Sequence, residues 1–336
     1  MRPPILNKPL VYLDQNILDA FVKGKADWLF DIVASQGQIV YSDITLTEIK
    51  GSLGHVNNFL RVLEKLNAMY MQLHFPKDSH QIAVGITLTA GSPFSAYDEL
   101  IDSLAQNPFS EPFNQFLFKL AGGRKDDSIS DVLDEQRLAA YELQKSMQSL
   151  IPELEPADFE EAENLGISKE SLMKFPALIK DALQSSIDGL EKTITNNHPE
   201  TKSWNSIGEL REALKIGPKV LNNIKPPKVV EQIWEIIKDY IPTANDFDEA
   251  FGLNNNSDTI NTKALKLYNL LNSLGYWPDS KITKERRFKA ALNDNNHAMW
   301  ASFCSVLISA DENFVKKAKA VYEYLNIKTE VVYVPH

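Results

Sequence analysis

Four acidic residues stand far apart in the chain, each beside a short apolar run. They are Asp14 in LVYLDQNILDAF, Glu48 in VYSDITLTEI, Asp294 in DNNHAMWASF and Asp311 in VLISADENF. Carboxylates brought together repel: two unit charges about 4 Å apart interact by roughly 4 kcal/mol at an effective dielectric of 20. Such a group either takes up protons, with raised pKa values, or gathers around a cation. All-oxygen donors favour Mg²⁺ or Mn²⁺ over zinc. These ions activate a water and offset charge in an in-line displacement at phosphorus. The chemistry expected is phosphodiester hydrolysis. Asp14 and Asp311 would be direct ligands, and Glu48 and Asp294 would complete the shell or orient a water on the ion.

The surrounding elements would have to bring these acids to one place. Leu10–Leu13 is a continuous apolar run, the mark of a parallel strand buried on both faces, and Ile39–Ser42 follows a turn at Gly37 as a second. A helix is expected around Ile17–Ala34, and another over TLTEIKGSLGHVNNFLRVLEKL, weakened by Gly51 and Gly54. The last 56 residues repeat the pattern. A helix opened by Asn293 or Asp294 leads to the strand VLIS, then a helix in ENFVKKAKAVYEYLN and a last strand in TEVVYV. Alternating strands and helices predict an α/β fold with a parallel sheet. In such a sheet, ligands bind outside the carboxyl ends of the strands. Asp14 ends the first strand, Asp311 lies just past VLIS, Glu48 sits about one helical turn past the second strand, and Asp294 opens the helix before VLIS.

Composition divides the chain in the same way. Of 336 residues, 43% are hydrophobic and 24% charged, which suits a globular protein of one large domain with an insertion, or two domains. The net charge is −10, but residues 1–75 sum to zero and 281–336 to +3, leaving −13 in the middle. That middle carries helical spacing: Val230, Ile233, Trp234, Ile237 and Ile241; Ala264, Leu267, Tyr268, Leu271 and Leu274, closed by Gly275; and Ala140, Leu143, Met147 and Leu150. The expected organisation is a discontinuous α/β core, 1–75 plus 281–336, interrupted by an all-α insertion over 76–280. No run of 18 apolar residues predicts a membrane span, and no secretory leader is evident. Cys304 is the only cysteine, so no intrachain disulfide can form, and a cytoplasmic setting is expected.

The four acidic segments, in this order, resemble the motifs of PIN-domain nucleases. The resemblance covers 1–75 and 281–336 and leaves out the middle, which compact PIN toxins lack. It implies a PIN-like, Rossmann-type parallel sheet sandwiched by helices and a divalent-metal-dependent endoribonuclease using Mg²⁺ or Mn²⁺. The family's acids carry over onto Asp14, Glu48, Asp294 and Asp311, and its small polar residues onto Asn16 and Ser309. RNA, single-stranded or structured, is the implied substrate, and structured DNA is an alternative. PIN relatives often pair, so a homodimer is an expectation. A toxin-like or defence effector is a biological setting consistent with this.

Each residue also has a plainer reading. Thr45-x-x-Glu48 fits a capping box, with Asp43 a rival second acid or helix cap. Asp294 fits an N-cap and Asp311 an Asx-turn. Asn16 suits the turn after the strand or the orientation of a water on the ion. Ser309-x-x-Glu312 reads more readily as a cap than as catalytic. His297, one turn after Asp294, is taken as a surface or packing histidine, and Cys304, Trp234 and Tyr268 as core. With six histidines and neither HExxH nor paired CxxC, a zinc site is not expected. Asp14 resists a plain reading, because a buried strand gains nothing by ending on an unpaired carboxylate.

Two basic clusters flank the acids: Lys281, Lys284, Arg286, Arg287 and Lys289 before Asp294, and Lys316, Lys317 and Lys319 after Asp311. Their ordinary role is a solvated helix face, and their position suits a phosphate backbone. Lys284, Arg286, Arg287, Lys316 and Lys317 are the expected nucleic-acid contacts. Lys215, Lys219, Lys225 and Lys228 read as solvated loop charges. Two other functions compete. One is a catalytically inactive PIN-like protein whose acidic insertion docks a basic protein partner. The other is a phosphatase with an aspartate nucleophile, disfavoured because Asn16 stands where that chemistry prefers a second Asp.

Overall fold

A computed structural model describes residues 8–52, 54–74, 85–106, 110–164, 167–198, 201–202, 204–255 and 258–335. The chain starts with β1 (Leu10–Leu13), α1 (Gln15–Val22), α2 (Asp27–Gln36), β2 (Gln38–Tyr41), α3 (Asp43–Gly51) and α4 (Val56–Lys65). It continues through β3 (Met69–His74), β4 (Gly85–Thr89) and α5 (Pro93–Gln106). Next come α6 (Ser110–Leu120), α7 (Ile129–Leu150), α8 (Pro156–Asn164), α9 (Lys169–Asn197), α10 (Ser206–Ala213) and α11 (Pro218–Leu221). It ends with α12 (Val229–Ile237), α13 (Phe247–Phe251), α14 (Ile260–Leu274), α15 (Glu285–Ala301), β5 (Val306–Ser309), α16 (Glu312–Tyr324) and β6 (Glu330–Tyr333).

The strands form one six-stranded sheet in the order β4-β3-β2-β1-β5-β6. Every neighbouring pair is parallel except β3 with β4. The chain leaves β1 toward β2 on one side and returns through β5 on the other, so β1 lies at the topological switch point, where such sheets open a crevice. β1, β2, β5 and β6 fall where the sequence places strands. β3 and β4 extend the sheet beyond the expected four.

Side chains alternate across the sheet as the pleat requires. Val11, Leu13, Ile39, Tyr41 and Ile308 join one core, packed with Ile17, Leu18, Leu46, Ile49, Phe59 and Leu63 from α1, α3 and α4. Tyr12, Val40, Met71 and Leu307 join the other, packed with Ile233, Ile237, Leu267, Leu271, Phe314 and Val321 from α12, α14 and α16. The fold is thus α/β with helices on both faces of a mixed, mostly parallel sheet.

The division of the chain differs from the expected one. One compact unit holds 1–100, 209–281 and 286–336, and the other holds 101–208 with 282–285. Residues 209–281 are therefore part of the α/β unit, where α12 and α14 cover one face of the sheet. The expected boundary at 75/76 lies outside the described residues. The smaller unit has its own apolar centre of Phe116, Ile129, Val132, Leu133, Ile187 and Ile194. No helix among the described residues is long and apolar enough to cross a membrane.

Local chemistry explains the helix boundaries. The helix expected over 17–34 is two, because Gly24 takes φ 63° between α1 and α2, a conformation that side chains disfavour. Gly275, at φ 104°, ends α14 by donating its N–H to the Leu271 carbonyl at 3.1 Å. α15 starts at Glu285, eight residues before Asn293, so Asp294 lies inside the helix and is not its N-cap.

Candidate metal centre

Asp14 follows Leu13 directly and is the N-cap of α1. The register of β1 on β5, Leu13 opposite Ile308, sets Asp14 beside Ser309. The Asp14 carboxylate accepts from the Gln15 N–H at 2.7 Å, from the Ser309 hydroxyl at 2.6 Å and from the Asn16 amide. Asn16 also donates to Ser309 Oγ at 3.2 Å and accepts from the Ala310 N–H at 2.8 Å. Ser309 Oγ accepts from the Asp311 N–H at 3.0 Å. A buried strand can end on a carboxylate here because three donors satisfy it. Asp14 is 5% exposed, and burial raises its pKa; Glu48 adds to the rise, while His297 and Ser309 oppose it. Ser309 stands at the end of β5, and the cap of α16 is Asp311, so the Ser309–Glu312 capping reading is replaced by a tie between β5 and Asp14.

Glu48 lies in α3, whose capping box is formed by Ser42 and Thr45. The reading of Thr45 with Glu48 as the box is thus corrected, and Glu48 is free to face the sheet end. Asp43 sits in the first turn of α3 and accepts from the Tyr70 hydroxyl. Glu48 Oε1 accepts from Asn293 Nδ2 at 3.0 Å, and Oε2 lies 2.9 Å from His297 Nε2. Asn293 and His297 are four residues apart on α15 and so share a face.

His297 is fully buried, so of its two readings, surface or packing, the surface one falls. Its Nδ1 lies 2.8 Å from the Tyr12 hydroxyl, which also meets Ser42 Oγ at 2.8 Å and Thr45 Oγ1 at 3.3 Å. Burial alone would lower the His297 pKa, but Glu48, Asp14 and Asp294 together raise it to about 9. At neutral pH the imidazolium therefore donates from both nitrogens, to Glu48 and to Tyr12. Burial works to raise the Glu48 pKa, yet His297 and Asn293 outweigh it and hold the carboxyl below its ordinary value.

One carboxylate oxygen each of Asp14 and Glu48 and a ring nitrogen of His297 lie within 4.8 Å of one another, and with His297 protonated the two carboxylates are the members with lone pairs to offer an ion. Asp294 and Asp311 are not in this tight group among the described residues. Asp294 is half-buried, and its pKa is pushed well up by burial, then by Asp279 and Asp14. Asp311 is exposed, and its Oδ1 accepts from the Phe314 N–H at 2.9 Å, as an N-cap does.

The basic clusters divide. Lys284, Arg286 and Arg287 are exposed. Lys316 pairs with Glu312 at 2.7 Å and lies over the Trp277 ring at 3.2 Å. Lys317 is fully buried and cannot meet a nucleic acid: its ammonium is 2.9 Å from Asp279 Oδ1 and 3.1 Å from Asn272 Oδ1. The helical period places it on the inner face of α16. Cys304 is core, as read, and burial pushes its thiol up to about 12.

The donor set fits a small divalent cation. Oxygen ligands sit about 2.0–2.1 Å from Mg²⁺, so two across the ion are about 4.2 Å apart, inside the 4.8 Å that bounds the candidate ligand atoms. A carboxylate has roughly four acceptor sites. Asp14 commits three to its donors and Glu48 two, which leaves lone pairs on both. The donors around them hold the carboxylates in place, as outer partners of metal ligands do. His297, Asn293 and Tyr12 were not singled out from sequence as site residues. The only signal was the four-residue spacing of Asn293 and His297 around Asp294. No family model, curated protein or solved structure matches the chain.

Proposed function

We propose that the chain is a divalent-metal-dependent endoribonuclease with a PIN-like α/β core. The observation that carries this reading is the convergence of Asp14, Glu48 and His297, from β1's end, α3 and α15, beside the switch point of the sheet. Asp14 and Glu48 would hold Mg²⁺ or Mn²⁺, with Asp294 nearby and Asp311 at the solvent side. A cation bound there would lower the pKa of a water and offset charge on the phosphodiester. The chain's own residues orient the carboxylates: Ser309 and Asn16 for Asp14, Asn293 and His297 for Glu48. RNA as substrate rests on the PIN-like motifs. The exposed Arg286 and Arg287 suit its backbone.

The test compares cleavage of an RNA substrate in Mg²⁺ or Mn²⁺ by the protein and by Asp14→Asn. A loss of at least roughly a hundredfold is expected, beyond the 10–100-fold typical of outer-shell groups. Equal activity overturns the reading.

One observation favours a second reading, a PIN-like binding protein without catalysis. His297 already neutralises Glu48, so part of the charge a metal would balance is balanced by the chain. The two separate by thermal stability. Mn²⁺ that binds only the folded state raises the melting temperature as its concentration exceeds Kd; no shift at millimolar Mn²⁺ favours the binding protein.

A further inference from the structure

Tyr268, on α14, is 1% exposed, and its hydroxyl has no hydrogen-bond partner. A buried hydroxyl left unpaired is costly, and native chains seldom carry one without a role for it. Its surroundings identify the role. The ring packs on Phe314, centroids 5.7 Å apart, and Phe314 gives its N–H to Asp311. The Lys317 ammonium lies 4.8 Å from the ring centroid on its way to Asp279. Burial drives the phenol pKa well up, followed by the charges of Asp294, Asp279, Asp311 and Asp14. The unpaired hydroxyl thus lies within electrostatic reach of four carboxylates and stays protonated.

Asp279 has an orphan of its own. Oδ1 accepts from Lys317, while Oδ2 is buried without a partner. Asp279 is also, after burial, the foremost influence raising the Asp294 pKa. Asp14, Asp279, Asp294 and Asp311 all act electrostatically on Tyr268, Glu48 lies beside Asp14, and the two buried cations His297 and Lys317 pair with Glu48 and Asp279 alone. The excess of negative charge calls for a cation or for bound protons.

We propose that Tyr268 and Asp279 extend the carboxylate site, Asp279 as a further acid facing the bound cation and Tyr268 as hydrogen-bond partner to a water in the cation's shell. Small divalent ions keep several waters, and a hydroxyl both accepts from such a water and donates onward. Both residues come from the 209–281 segment, so the helical layer on that face completes the site as well as covering the sheet. The inference rests on the metal-centre reading. It casts Tyr268 as a positioning residue.

The test is Mn²⁺ binding by calorimetry to the full chain, to Tyr268→Phe, to Asp279→Asn and to Asp14→Asn as a reference, with the melting temperature of each protein in chelator. Removing an orphan hydroxyl should leave the metal-free melting temperature of Tyr268→Phe unchanged or higher. Its Mn²⁺ affinity should fall about tenfold, the scale of an outer-shell partner, with a comparable fall for Asp279→Asn. Wild-type affinity in Tyr268→Phe overturns this inference and leaves the metal centre standing, provided Asp14→Asn has lost binding. A lowered metal-free melting temperature in Tyr268→Phe also overturns it, because the hydroxyl then serves the fold. Absence of Mn²⁺ binding in the unaltered protein overturns the metal centre and this inference together.

Discussion

His297 and Glu48, 249 positions apart in the chain, meet at 2.9 Å beneath the ends of β1 and β2. Folding raises the His297 pKa from 6.5 to about 9, against its own burial, because Glu48, Asp14 and Asp294 surround it. The folded state therefore holds this proton more tightly than the unfolded chain. Its contribution is fully present below pH 6.5 and is lost as pH rises through about 9. The shift corresponds to roughly 3 kcal/mol. Urea unfolding in chelator should show stability falling across pH 6.5–9, and His297→Gln should flatten that slope. An unchanged slope in the variant would place the titration elsewhere.

Ser309 is where the two halves of the α/β unit join around Asp14. Its hydroxyl donates to Asp14 and accepts from the Asp311 N–H, and it is fully buried. Ser309→Ala leaves a buried carboxylate short of one donor. The expected cost is about 1–3 kcal/mol, the penalty for an unmet buried polar group, read as a lower urea midpoint at unchanged m. A cost below about 0.5 kcal/mol, the range of ordinary surface changes, would mean that Asn16 and Gln15 suffice.

Much of the frame was legible because apolar runs and their flanks are local signals. Leu10–Leu13 and Val306–Ser309 read as buried strands and are so. The acids at their ends followed from the rule that parallel sheets bind ligands there. What escaped depends on partners distant in the chain. His297 looked like a packing residue because nothing nearby in sequence reveals Glu48 or Tyr12. The true start of α15 at Glu285 was missed because Asn293 and Asp294 look like caps, although Phe288, Ala291 and Leu292 already carry the helical spacing. The stripes of α12 and α14 were correctly helical, but a stripe does not say which surface it covers. They cover the sheet.

Lys317 and Arg286 looked alike in sequence and should behave oppositely. Lys317 is a buried partner of Asp279, so Lys317→Ala should destabilise by about 3–5 kcal/mol, the cost of stranding a buried charge. Arg286→Ala and Arg287→Ala change exposed groups and should move stability by less than about 0.5 kcal/mol. Each should instead lower the salt dependence of RNA binding by about 0.7 in log–log slope if it meets a single-stranded backbone. Filter binding across salt concentrations measures this, and an unchanged slope in both variants removes that face as the RNA contact.

The last prediction concerns the 209–281 segment. Ile233 on α12 is fully buried in the core that also holds Tyr12 and Leu307 of the central strands. If this segment were a separate domain, truncating Ile233 would loosen that domain and spare the sheet. Because α12 packs on the sheet itself, Ile233→Ala leaves a cavity against β1 and β5, with an expected cost of about 2–5 kcal/mol. Hydrogen exchange should then rise together at the amides of Tyr12, Leu307 and α12, since parts of one cooperative unit open together. Exchange that rises in α12 alone, with β1 and β5 as protected as before, would restore the segment to the status of an insertion.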